Sequence, residues 1–229
     1  MTIVARKIRL IMRLRRAGIA DTDVLSAIER IPREAFVPDS FQDQAYEDRA
    51  LPIGHGQTLS QPQVVAVMTQ ALKPDRRVRV LEVGTGSGYQ AAVLSRLCRR
   101  LYTIERYREL QADAERRFRE LRLHNITTRV GDGSKGWPEQ APFSRIIVTA
   151  AARDVPGALI GQLAVGGILV APIGPPGADQ VLLRLTRGEA GITEEHLGGV
   201  RFVPLVDGLP GAPAPETAGS PALGLVRQT

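Results

Sequence analysis

The sequence is short of the residues that staple or metallate small proteins. Its 229 residues include one cysteine, Cys98, and three histidines. One cysteine excludes an intrachain disulfide framework and a cysteine-rich metal site. His124 and His196 lie far apart and form no ligand pattern, so no metal is expected. Acids are missing from the first twenty residues, as in a transit peptide, but serine is also missing until Ser26, which counts against one. No continuous apolar core of a secretory signal is present. Residues 155–178 carry no charge, a length that could span a bilayer. Ten of those 24 positions are Gly or Pro, however, and Gly166-Gly167 splits the run. It is read as core, no membrane association is expected, and a reducing, cytoplasmic setting fits the cysteine count.

What is present is ordinary globular composition, 43% hydrophobic and 24% charged. At this length folding buries roughly 70% of the surface the open chain exposes. The net charge of +6 is local. Arg6, Lys7, Arg9, Arg13, Arg15 and Arg16 account for it, and the other 24 basic residues balance the 24 acids. A nucleic-acid binder usually spreads its basic surface over a binding face, so none is expected as a partner. Arg6, Arg9, Arg13 and Arg16 recur at helical spacing, while Val4, Ile8, Ile11 and Met12 fall on another face. This predicts an amphipathic helix packed on the domain with its arginine stripe solvated.

Asp21 or Asp23 can cap a second helix to about Arg30. Residues 31–61 read as an irregular but ordered loop. Ser60 is placed as the N-cap of a helix opening at Pro62. Strands are predicted at 78–83, 101–104, 126–130, 146–149 and 168–173, alternating with helices at 89–97, 110–121 and 155–165. The alternation predicts a doubly wound α/β fold with a mostly parallel sheet, preceded by N-terminal helices. Residues 181–185 and 200–206 are expected to finish the sheet as antiparallel strands. The parts are 1–75, holding the helices and the loop, 76–206, the cofactor-binding core, and 207–229. Eight of those last 23 residues are Gly or Pro, which reads as a mobile tail. A monomer is expected.

The strongest local signal is Val80-Leu81-Glu82-Val83-Gly84-Thr85-Gly86-Ser87-Gly88. A buried strand runs into a glycine turn and then a helix. Dinucleotide folds use such turns too, but as G-x-G-x-x-G. Here the spacing is G-x-G-x-G. Glu82 would oppose a pyrophosphate but suit an amino or sulfonium cation. Glu105 ends the next strand, where a carboxylate accepts ribose hydroxyls; its alternative is a surface pair with Arg106 or Arg108. Asp132, in Gly131-Asp132-Gly133, could meet an adenine amino group or merely form a turn. Together these features resemble the S-adenosylmethionine site of class I, Rossmann-like methyltransferases.

A second signal is Leu51-Pro52-Ile53-Gly54-His55-Gly56-Gln57-Thr58-Leu59-Ser60-Gln61-Pro62. With the glycine turn downstream, and with Val37-Pro38, Pro142-Phe143 and Phe202-Val203-Pro204-Leu205, it resembles the protein-L-isoaspartate O-methyltransferase family over residues 8–207. The resemblance implies S-adenosyl-L-methionine as cofactor and isoaspartyl proteins and peptides as substrates. It implies Ser60 as the active-site serine and Thr58, Glu82, Gly84, Gly86, Glu105, Asp132 and Gly133 as cofactor positions. Ile53, Gly54, Ala150 and Val203 would hold the substrate peptide. The implied reaction methylates a free α-carboxylate, whose ester then closes to a succinimide. The rival reading is a nucleic-acid methyltransferase, which shares the cofactor fold and would use the basic arm. Against it, Thr149-Ala150-Ala151-Ala152 is too small to stack a flipped base.

Overall fold

The protein is described by a computed structural model over residues 2–175 and 177–211. Helix α1 (Ile3–Arg16) opens with Thr2, whose side chain accepts the Ala5 N–H. Arg13, Arg15 and Arg16 in its last turn oppose the negative end of the helix dipole. The helix packs on two neighbours, α2 (Thr22–Arg30) and α3 (Pro62–Leu72). The contact is narrow and centres on Leu10 and Leu14. Val4, Ile8 and Met12, expected to face the domain, are 67%, 51% and 49% exposed. The apolar arc of α1 is wider than the surface available to cover it, so only its Leu10/Leu14 edge is buried.

Asp21 caps α2 through bonds to the Asp23 and Val24 N–H groups. The stretch read as an irregular loop is largely regular. It contains 3-10 turns at Arg33–Phe36 and Asp39–Gln44 and a hairpin of β1 (Leu51–Gly54) and β2 (Gln57–Leu59). These short elements bury few residues each, so they leave no long apolar period in the sequence. Ser60 is not the cap of α3. Gln61 holds that position, with no side-chain cap bond, and Pro62 is the first helical residue.

The main sheet continues with β3 (Arg79–Val83), α4 (Tyr89–Ser95), β4 (Arg100–Glu105), α5 (Arg108–Glu120), β5 (Ile126–Val130), β6 (Phe143–Val148), α6 (Gly157–Gln162), β7 (Leu163–Ile173), β8 (Gln180–Arg187) and β9 (Ile192–Val200). Its seven strands lie in the order β5-β4-β3-β6-β7-β8-β9. The first five in sequence are parallel and β8 and β9 antiparallel. Adjacent residues on a strand serve opposite faces. Val80, Ile147 and Val170 join the core under the N-terminal helices, whereas Leu81, Ile146 and Leu169 join the core on the α6 side. This is the doubly wound fold that the alternation predicted. Among the described residues no helix is long and apolar enough to cross a membrane.

Two corrections concern the second half. The helix predicted at 155–165 ends at Gln162, and Leu163 already pairs with Phe143 in the sheet. Gly166-Gly167 lets β7 bulge and continue, since Ile168 pairs with Arg145 only two residues further along β6. The last strand is 192–200 rather than 200–206. Glu194, Glu195 and His196 are exposed on this edge, and such charges protect a sheet edge while hiding the strand from an apolar-run criterion. Residues 201–206 leave the sheet and run to the functional site. Residues 212–229, most of the predicted tail, lie outside the described residues.

Candidate active site

The sheet reverses its winding at β3, which pairs with β4 on one side and β6 on the other. A crevice opens at such a switch point beyond the carboxyl ends of the strands. The glycine turn fills it. Gly84 has φ +97°, a conformation that disfavours side chains, and a Cβ there would lie 2.4 Å from Thr149 Oγ1. Thr149, the first residue after β6, donates its hydroxyl to the Gly84 carbonyl at 2.6 Å. The turn is thus clamped from the neighbouring strand.

The result is a cavity of about 310 Å³, within the usual range for small-molecule sites. Thr58, Ser60, Gly84, Gly86, Glu105, Gly133, Ala150 and Val203 all line it. Glu105 is buried and accepts three backbone N–H groups: Gly86 at 2.8 Å on Oε2, Arg106 at 2.8 Å and Tyr107 at 3.0 Å on Oε1. It is therefore not a surface ion pair with Arg106 or Arg108. Oε1 is filled by its two bonds, and Oε2 keeps lone-pair capacity for a ligand hydroxyl.

The other predicted positions sit outside the lining. Glu82 is fully buried behind the turn, because Val83 takes the cavity side of β3 and its neighbour must take the other. Its Oε2 accepts the Thr103 hydroxyl at 2.6 Å and its Oε1 has no partner among the described residues. Burial pushes this carboxyl up to about 8, against the Thr103 hydrogen bond and with some help from Glu105. Burial thus works against the anion expected opposite a cation. Asp132 takes up its turn-forming reading. Its Oδ1 accepts the Ser134 N–H and hydroxyl, turning the chain, and its Oδ2 accepts the Gly208 N–H at 2.9 Å. Burial alone would raise this carboxyl, but the bonds from Ser134 and Gly208, with Lys135 nearby, hold it below the usual range. Next to it, a Cβ on Gly133 would lie 2.4 Å from Val83 Cγ1, so only glycine lets this wall close. Ile53 reaches toward Gly86 from β1, and Gly54 is exposed at the hairpin.

The lining also takes in residues that were not predicted. Thr149 and the chain at 204–206 belong to it, as does Tyr107. Tyr107 stacks on His55 at the hairpin tip, with ring centroids 5.0 Å apart, and so ties hairpin to core. The C-terminal segment is held by Ala151, which donates to the Val203 carbonyl at 2.8 Å and accepts the Leu205 N–H at 2.7 Å. Thr149 could have been found from its place at the end of the switch-point strand. For residues 204–206 the signal was the Phe202-Val203-Pro204-Leu205 run, from which only Val203 was assigned to the site.

The groups in this cavity suit a nucleoside-bearing cation. A carboxylate and glycine backbone line it together with a hydroxyl and small side chains. Among the described residues no group of three or more His, Cys, Asp or Glu side chains could hold a metal.

Comparison with known proteins agrees with this chemistry. A sequence model of the protein-L-isoaspartate(D-aspartate) O-methyltransferase family matches residues 5–210. The protein-L-isoaspartate O-methyltransferase of Rhodospirillum centenum is 63% identical over 220 residues, covering 95% of this chain and 100% of that one. The protein of the same name from Paramagnetospirillum magneticum is 62% identical over 206 residues, covering 90% and 96%. A protein-L-isoaspartate O-methyltransferase from Plasmodium falciparum, solved in complex with S-adenosyl-L-homocysteine, superposes with a TM-score of 0.74 at 26% identity. That match covers 86% of this chain and 97% of the other.

Proposed function

The chain belongs to the protein-L-isoaspartate(D-aspartate) O-methyltransferase family, and from that premise we infer how its site works. It transfers a methyl group from S-adenosylmethionine to the free α-carboxylate of L-isoaspartyl residues in proteins and peptides. The observation that carries the reading is one cavity lined by Glu105 and the glycine turn together with Ser60, Ala150 and Val203. Such a lining suits a cofactor and a peptide carboxylate meeting in one space.

On the cofactor side, Glu105 accepts ribose hydroxyls, and the backbone at Gly84, Gly86 and Gly133 leaves room for close approach. Bound there, S-adenosylmethionine supplies an electrophilic methyl group on a sulfonium. On the substrate side, Ser60 donates its hydroxyl to the substrate carboxylate and sets its direction. A carboxylate is already ionised near neutral pH, with an ordinary pKa of about 4, so no general base is required. Catalysis is then chiefly alignment, which can supply several kcal/mol when the reacting atoms are held in line. The hairpin tip at His55 and the segment at 203–206 restrict water around the reacting groups. The methyl ester formed leaves the site and closes to a succinimide, whose hydrolysis returns some normal aspartate.

The test is methyl transfer from labelled S-adenosylmethionine to three acceptors: an isoaspartyl peptide, the same peptide with normal aspartate, and RNA. Label is expected in the isoaspartyl peptide alone. Equal labelling of both peptides would defeat the repair assignment, and labelling of RNA would favour the nucleic-acid alternative.

A further inference from the structure

Behind Ser60 lies a group that the mechanism above does not use. Arg33 opens the 3-10 turn Arg33–Phe36, and its side chain is 0% exposed. Its Nη2 donates to the Ser60 carbonyl at 2.7 Å. Its guanidinium carbon sits 4.7 Å from the ring centroid of Tyr89. Tyr89 begins the helix after the glycine turn and itself lines the cavity. Phe36, three residues on, meets the same ring edge-on at 5.5 Å. One guanidinium therefore joins the substrate loop to the cofactor turn.

The arrangement is a poor way to gain stability. Nε and Nη1 have no hydrogen-bond partner among the described residues. Asp48 is near enough to act on the charge, but it accepts the Gln63 N–H. Removing a cation from water costs several kcal/mol, and well-packed apolar residues often replace such groups with no loss. A guanidinium stays protonated under these conditions all the same. The site therefore contains a fixed positive charge over the Tyr89 ring, bonded to the backbone of the residue that meets an anionic substrate.

We propose that Arg33 is a positioning residue for methyl transfer, fixing the Ser60 backbone so that its hydroxyl aims the substrate carboxylate, and that its charge helps to hold that carboxylate before reaction. The proposal rests on the functional reading above. Its two parts act on different kinetic constants. The carboxylate loses its charge as the ester forms, so a nearby cation stabilises bound substrate more than the transition state, and the charge acts on KM. The aim of Ser60 matters in the transition state, and acts on kcat.

Arg33→Lys keeps the charge but loses the planar fork and the stack on Tyr89. It should lower kcat by roughly tenfold while KM for isoaspartyl peptide and the affinity for S-adenosylmethionine stay within about twofold. Arg33→Met should lower kcat and also raise KM. The decisive arm is Arg33→Lys combined with Ser60→Ala. If Arg33 works through Ser60, the double variant should have nearly the kcat of Ser60→Ala alone, because coupled residues are not additive. Effects that multiply, or an Arg33→Lys enzyme with unchanged kcat, would overturn the proposal. If Arg33→Met does not fold, the lysine series decides alone. Failure of the wild-type chain to methylate isoaspartyl peptide would overturn the functional reading itself, and this proposal with it.

Discussion

Glu105 Oε2 accepts the Gly86 N–H at 2.8 Å, across the gap between the second strand of the main sheet and the glycine turn of the first. The carboxylate thus shapes the turn as well as lining the cavity. Glu105→Ala should weaken S-adenosylmethionine binding by about 1–3 kcal/mol, the usual cost of losing hydrogen bonds to a charged acceptor. Calorimetric titration measures this. Unchanged affinity would leave Glu105 a purely structural clamp.

Ser60→Ala should reduce turnover on isoaspartyl peptide and spare cofactor affinity. Misplacing a reacting group by about 1 Å can cost on the order of a hundredfold. The loss should stop short of that for removing a covalent nucleophile, because the substrate oxygen makes the attack. Steady-state kinetics with a parallel binding measurement separates the two effects. A methylated enzyme accumulating in the variant would contradict direct transfer.

Glu82 makes a pH prediction. Burial raises its carboxyl from 4.5 to about 8 in the folded chain. Between those values the folded state holds a proton that the unfolded state has released. The stability it provides is complete below about 4.5 and is lost as pH rises through about 8. Glu82→Gln stays neutral throughout and can still accept the Thr103 hydroxyl. Its melting temperature should therefore gain on wild type as pH is raised from about 6 to about 9. A constant difference between the two proteins would show that Glu82 is ionised in the folded state.

Gly84→Ala should destabilise the protein for two separable reasons. The positive φ costs about 1–2 kcal/mol in a residue with a side chain, and the new Cβ meets Thr149 Oγ1. Adding Thr149→Ala removes the second cause and should recover part of the melting temperature. No recovery would assign the whole effect to the backbone.

The parts of this molecule that were legible beforehand are those encoded locally. The run Val80 to Gly88 and the place of Glu105 follow from a strand, a turn and one further strand, and the structure brings Gly84, Gly86 and Glu105 to one cavity. What escaped depends on distant partners. Glu82 and Val83 are neighbours in sequence, but which of them faces the ligand depends on which face the turn folds over. The strand at 192–200 is charged because it is an edge, and an edge is defined only once the sheet exists. Arg33 reads as a loop residue between Pro32 and Glu34. Its burial comes from Tyr89, which lies 56 positions later in the chain.

The cavity is bounded by the hairpin loop at 55–60, by the middle of the chain at 83–107, 133 and 149–150, and by 203–206, which arrive last. A ribosome that has made the chain as far as Val200 has supplied every strand of the main sheet but not the final wall of the site. Chains truncated before residue 203 should therefore keep every strand of the main sheet while lacking catalysis.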